Sequence, residues 1–141
     1  MSTLFELLNP KNYERYRAHY RELQATTNLH LFNTTAKNCF LGFAMLIGLK
    51  CNPHKDMNDV MDGWVMNAAF RDFEGSNLQC HLLGHEFELG PRSVVMMRSR
   101  LLTHGVAPVT KGKRYSTVLF SHDTLIKTHA EMVEEMEQKT F

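Results

Sequence analysis

The sequence predicts an α+β fold, mainly β, with helices flanking a sandwich or barrel of short strands. Three observations carry this. The first third places apolar residues three and four apart, the middle holds short apolar runs cut by turn residues, and the last stretch returns to helical spacing. The 141 residues suit one domain. It divides into a helical region over 1–27, a sheet core over 28–122 and a closing helix over 123–141. A chain of this size buries roughly two thirds of its unfolded surface, enough for one core without staples.

In the helical region, Thr3 and Glu6 have the spacing of a capping box. Asn9-Pro10 reads as the cap and first turn of a second helix. Tyr13, Tyr16, Tyr20 and Leu23 form its apolar stripe, and Glu14, Arg15, Arg17, Arg21 and Glu22 its solvated face. The apolar run over 39–49, with Gly42 and Gly48, predicts strand buried on both faces. Further strands are predicted over 64–70, 78–82, 93–97 and 115–120. Turns at Glu74-Gly75-Ser76-Asn77, Gly90-Pro91 and Lys111-Gly112-Lys113 separate them. The closing helix, capped by Asp123 or Thr124, would show Leu125, His129, Met132, Val133 and Met136 on its apolar face.

Composition narrows the function. Hydrophobic residues make up 43% and charged residues 22%, ordinary for a globular protein. The net charge of +1 lacks the basic excess of many nucleic-acid binders, although a local stripe fits within a neutral total. Three cysteines, Cys39, Cys51 and Cys80, with no close pair argue against a disulfide framework and for a reducing compartment. The first residues lack the pattern of a signal peptide, and no stretch nears the ~20 apolar residues of a membrane span. An intracellular protein without a membrane or obligate protein partner is expected.

Four residues carry the chemistry: His54, Asp56, His104 and Arg114. Two imidazoles and one carboxylate are the ligand types of a facial triad, which leaves about half of an octahedral iron open. His54 and Asp56 lie two apart, so on a strand both would face one ion. Asp56 and His104 are 48 positions apart, room for the four or five strands a jelly roll needs to return a strand beside the first. Arg114 can hold the far carboxylate of 2-oxoglutarate with its planar fork. Alternation then puts Arg114, Ser116, Val118, Phe120 and His122 on one face of a strand. That face is neither plain core nor plain surface. An anionic cosubstrate at one end and an aromatic substrate at the other would explain it; core packing of Phe120, a solvent-exposed strand end at His122 and a plain turn at Asp59 are the competing readings. His81 and His85 show no acidic or cysteine partners at the usual spacing of a competing metal site.

Residues 54–122 resemble 2-oxoglutarate/Fe(II) dioxygenases through NPHKD, EGSNL, SVVMMRSRLLTHGV and PVTKGKRYSTVLFSH. They are most similar to the TET/JBP family of 5-methylcytosine and thymine dioxygenases, in its short fungal and protist form. The resemblance implies a double-stranded β-helix (jelly-roll) core and the use of Fe(II), 2-oxoglutarate and O2. His54, Asp56 and His104 would be the catalytic iron ligands. Arg114, helped by Ser116, would hold 2-oxoglutarate, with Val118 walling its pocket. Phe120 would stack on a flipped base whose polar edge His122 and Asp59 read; Asn33 and Asn38 are further candidates for substrate contact. The implied reaction is oxidation of 5-methylcytosine in DNA to 5-hydroxymethylcytosine and beyond, in the nucleus. The segment PVTKGKRY also fits prolyl-hydroxylase-like barrels. A protein or small-molecule hydroxylase, or an N-methyl nucleobase demethylase, is therefore the alternative.

Overall fold

The computed structural model describes residues 1–26 and 36–125. Asn33 and the predicted helix-face residues His129, Met132, Val133 and Met136 lie outside the described residues. Helix α1 spans Ser2–Leu8 and α2 spans Pro10–Thr26. The capping box does not form. Met1 occupies the cap position without a side-chain bond, and Glu6 pairs with Lys37 at 2.7 Å instead. Asn9 does cap α2, its Oδ1 accepting from the Asn12 N–H at 3.3 Å.

The stripe Tyr13, Tyr16, Tyr20 and Leu23 is buried. Arg17 joins it, contrary to its predicted place on the solvated face. Four positions after Tyr13 and three before Tyr20, it shares their side of the helix, and its Nη1 donates to the Asn38 carbonyl at 2.6 Å. A second donor reaches the Ala36 carbonyl, so its guanidinium spends its donors on loop carbonyls rather than on solvent.

Among the described residues ten strands follow, eight of them in two antiparallel four-stranded sheets. In the first, β1 (Gly42–Ile47), β10 (Tyr115–Phe120), β3 (Val65–Phe70) and β7 (Val94–Met97) stand in that order. In the second the order is β2 (Cys51–His54), β8 (His104–Val106), β5 (Leu78–Cys80) and β6 (His85–Phe87). A separate ribbon pairs β4 (Phe73–Gly75) with β9 (Val109–Gly112). The apolar run over 39–49 is not one doubly buried strand. Gly48, at φ 57°, ends β1, and the chain crosses to the other sheet as β2. Both are edge strands. Met45 and Ile47 therefore face solvent, and Pro53 sits where a missing N–H costs least.

The two helices cover the outer face of the first sheet. Phe5, Tyr13, Tyr16, Cys39, Phe40 and Met66 make one buried cluster, backed by Trp64, Met96 and Leu119. Phe5 is fully buried and meets Tyr16 edge-on at 5.4 Å between ring centroids. Replacing Phe5 with alanine is expected to cost about 3–5 kcal/mol. At this size that corresponds to a fall in melting temperature of about 10–20 °C, read by circular dichroism. A change of only a degree or two would show that the helices contribute little to the sheet's stability.

Candidate functional site

The inner faces of the two sheets enclose a cavity of roughly 540 Å³, inside the usual range for ligand sites. His54 ends β2 and His104 opens β8, and the antiparallel pairing sets the two residues opposite each other. Their ring centroids lie 4.6 Å apart. Asp56 is not on the strand, as alternation predicted. It sits in the turn beyond β2, where its N–H donates to the Ser99 carbonyl at 3.2 Å. The turn, not the pleat, swings its carboxylate toward both imidazoles.

Each ring is aimed through its other nitrogen. His54 Nδ1 lies 2.8 Å from the Asn52 carbonyl and His104 Nδ1 lies 2.9 Å from the Leu102 carbonyl. With Nδ1–H donating in both, each Nε2 lone pair points inward. These nitrogens stand 3.3 and 3.8 Å from the two Asp56 oxygens, and the three ligand atoms lie within 4.8 Å of one another. Two neutral nitrogens and a carboxylate oxygen on one side of a point fit a divalent iron with its opposite side open.

Arg114 follows a turn that only glycine can make. Gly112 has φ 77°, and a Cβ there would fall 2.3 Å from the Asp72 carbonyl oxygen. Arg114 is 3% exposed and lines the cavity. Its Nη1 donates to Ser76 Oγ at 3.2 Å, while its buried Nε has no partner. Among the described residues no carboxylate forms an ion pair with it, and burial pushes its pKa down. A buried guanidinium in this state is suited to an incoming anion. A dicarboxylate that also reached the His–Asp–His set would satisfy it. Val118 lines the cavity as well. Ser116 is buried but is not among the lining residues; the hydroxyl beside Arg114 belongs to Ser76.

Phe120, His122 and Asp59 also line the cavity. The Phe120 and His122 rings are 4.8 Å apart, and His122 Nε2 is 3.7 Å from Asp59 Oδ1. Ser99 Oγ donates to Asp59 Oδ2 at 2.5 Å. Burial raises the Asp59 pKa, more than the Ser99 hydrogen bond lowers it. Asn38 is buried under α2, its carbonyl taken by Arg17, and is not among the lining residues.

Two expected results arise here. A carboxyl group whose folded pKa lies above its unfolded value stabilises most below the ordinary carboxylate range, and that contribution is lost as pH rises through the folded pKa. Asp59→Asn should therefore flatten the fall in stability of the metal-free protein from acid toward neutral pH. Denaturant titrations at several pH values check this, and parallel curves for the two proteins would contradict it. At Gly42 an added Cβ would lie 2.3 Å from the Phe120 ring. Gly42→Ala is expected to displace that ring and raise the KM for a substrate that stacks on it, with the KM for 2-oxoglutarate unchanged. Steady-state kinetics in each substrate separate the two.

Ser76, Asn67 and Ser99 escaped the sequence reading. Ser76 has φ 58° within the predicted turn, which turns its hydroxyl inward. Asn67, a lone polar residue in VMNAAF, lines the cavity, and its interruption of an apolar strand was the available signal. Ser99 gave no sequence signal.

A two-sheet roll of this kind is the scaffold of the 2-oxoglutarate- and Fe(II)-dependent oxygenases, and its inward donor set matches that class. Residues 1–123 match Tet_JBP, the oxygenase domain of the 2OGFeDO superfamily. The chain belongs to this family. The superfamily uses Fe(II), 2-oxoglutarate and O2. Among solved structures, NgTET1 in complex with 5mC DNA is similar at 20% identity and a TM-score of 0.54, over 79% of this chain and 48% of that one. The chain thus spans about half the length of NgTET1. Viral collagen prolyl hydroxylase vCPH from Paramecium Bursaria Chlorella virus-1 is similar at 14% identity and a TM-score of 0.40, over 77% of this chain and 70% of that one. No curated protein matches the chain. Among the described residues no helix is long and apolar enough to cross a membrane.

Proposed function

We propose that this chain is a single-domain dioxygenase that oxidises the methyl group of 5-methylcytosine in DNA, to 5-hydroxymethylcytosine and beyond. The observation that carries the reading is the order of groups along one strand of the cavity. Arg114 precedes β10, Val118 lies within it, Phe120 ends it and His122 follows, with Asp59 beside His122. An anion site and an aromatic, hydrogen-bonding site thus share one cavity with the His54–Asp56–His104 set. The existence of a family-like fold bound to 5mC DNA supports the choice of substrate. A nuclear location follows from chromosomal DNA as substrate.

In this reading His54, Asp56 and His104 hold iron, and Arg114 receives the far carboxylate of 2-oxoglutarate. Bound together, the metal and cosubstrate supply the oxidation of a C–H bond by O2, with succinate and carbon dioxide as co-products. The chain's own residues do the positioning. The Asn52 and Leu102 carbonyls hold the two imidazoles in the ligating tautomer. Leu46, Val95 and Val118 give the cavity apolar walls that keep water from the reacting carbon. Flipping a base out of the duplex costs a few kcal/mol. Stacking on Phe120 offsets about 1–3 kcal/mol of that. Asp59 Oδ1 accepts from the exocyclic amine, the pairing a carboxylate makes with cytosine N4, and His122 meets the rest of the edge.

The test is incubation with Fe(II), 2-oxoglutarate, O2 and a duplex carrying 5-methylcytosine, followed by mass spectrometry of the nucleosides. Formation of 5-hydroxymethylcytosine with succinate is the expected result. Hydroxylation of a proline peptide, or loss of an N-methyl group from a base, with 5-methylcytosine untouched would overturn the choice of substrate.

A further inference from the structure

Ser99 sits just beyond β7, is 1% exposed, and bonds in two directions. Its backbone carbonyl accepts the N–H of Asp56 at 3.2 Å. Its hydroxyl donates to Asp59 Oδ2 at 2.5 Å. The next residue strengthens the same attachment, because Arg100 Nη1 donates to the Asp59 carbonyl at 2.7 Å and also pairs with Asp123. One residue therefore touches both the turn that carries the metal-facing carboxylate and the carboxyl group at the substrate end of the cavity.

We propose that Ser99 is a positioning residue whose hydroxyl aims Asp59 at the substrate while its backbone fixes Asp56. The bond to Oδ2 leaves Oδ1 as the oxygen facing His122, at 3.7 Å from its Nε2. A carboxylate on a free χ2 would present either oxygen at a range of angles. Held through Oδ2, it presents one oxygen in one direction. The substrate's orientation relative to the His54–Asp56–His104 set is thereby tied to the segment that holds Asp56. The inference rests on the reading of Asp59 as a substrate contact.

The two attachments separate by mutation, because Ser99→Ala removes the hydroxyl and keeps the carbonyl. The KM for the methylated duplex is expected to rise about tenfold or more, the fold-change that corresponds to losing a hydrogen bond to a charged group. Succinate formed per base oxidised is expected to rise, because a misaimed substrate lets the cosubstrate be consumed unproductively. The KM for 2-oxoglutarate is expected to stay at the wild-type value. Ser99→Thr, which keeps the hydroxyl, should restore the ratio of succinate to oxidised base. In an Asp59→Ala background, Ser99→Ala should have no further effect on that ratio.

A second readout needs no turnover. The side-chain carboxyl 13C resonance of Asp59 is expected to move in Ser99→Ala and to return toward its wild-type position in Ser99→Thr. An unmoved resonance overturns the proposal. So does a Ser99→Ala protein with wild-type KM and coupling, or one in which the effect persists without Asp59. If the wild-type protein oxidises no methylated base but the resonance moves as described, the substrate reading fails and the aiming of Asp59 by Ser99 stands.

Discussion

Arg114→Met is expected to abolish productive binding of 2-oxoglutarate and, at the same time, to raise the melting temperature of the cofactor-free protein. The two effects share one cause. Arg114 is a buried cation whose Nε has no partner and whose nearest bonded group is the neutral hydroxyl of Ser76. Such a group costs folding free energy until an anion arrives. Replacing buried charge with an apolar side chain of similar volume is often neutral or stabilising by about 1–4 kcal/mol. At about 2–4 °C per kcal/mol, the variant should melt several degrees higher. Losing one partner of a buried, hydrogen-bonded charge pair costs about 2–5 kcal/mol in binding. The KM for 2-oxoglutarate should therefore rise by a factor of about 30 to several thousand. Arg114→Lys should not recover it, since an ammonium is a point charge without the planar fork. Thermal scans and succinate assays over a range of 2-oxoglutarate concentrations check both halves. An Arg114→Met protein with an ordinary KM would remove the arginine from the site.

Asp56→Ala should remove iron binding without unfolding the chain. The residue's fold-level contacts are backbone bonds, its N–H to the Ser99 carbonyl and its carbonyl from the Asp59 N–H, which alanine keeps, and its side chain is 38% exposed. What disappears is the carboxylate that both Nε2 atoms face. Changes to groups that only support a ligand typically cost 10–100-fold in metal affinity or activity. Loss of the ligand itself should exceed about 100-fold on the same scale. The two imidazoles alone leave a weak site, and turnover should drop to background. Anaerobic calorimetry with Fe(II), alongside a melting curve for the variant, checks this. Retained iron affinity would show that the carboxylate is not a ligand.

Most of the fold was legible where side chains alternate over enough residues to leave a pattern. The run over 115–120 matches β10, and Gly75 and Gly112, both with positive φ, end the strands β4 and β9. The tyrosine stripe of α2 was equally plain, because helical spacing over 17 residues is a long signal. Of the four three-residue strands among the described residues, β4, β6 and β8 were not legible, since so short a strand shows no alternation, and β5 was legible only because it opens the apolar run over 78–82. The run over 39–49 misled because apolarity reports burial, not topology. Gly48 was visible in the sequence, but that the chain changes sheets there depends on what each side then pairs with.

The convergence of His54, Asp56 and His104 was legible as spacing and composition, and the structure brings the three together. The reason for it was not. Cross-strand pairing of His54 with His104 is a register, and the turn that carries Asp56 is anchored by a residue 43 positions away. Ser76 was missed for the same reason as Ser99. A serine's role in holding a charged neighbour depends on contacts across the fold, and nothing in its local sequence announces them. Arg17 is the converse case: its spacing from Tyr13 and Tyr20 puts it on the stripe, and the loop carbonyls that receive its charge there leave no local sign in the sequence.

Whether His54, Asp56 and His104 grip one iron ion is tested most directly by X-ray absorption at the iron edge on anaerobic protein loaded with Fe(II) and 2-oxoglutarate. One iron per chain with two imidazole nitrogens among its ligands is expected, falling to one imidazole in either His54→Ala or His104→Ala. Iron whose spectrum is the same in the wild type and in both variants would contradict it.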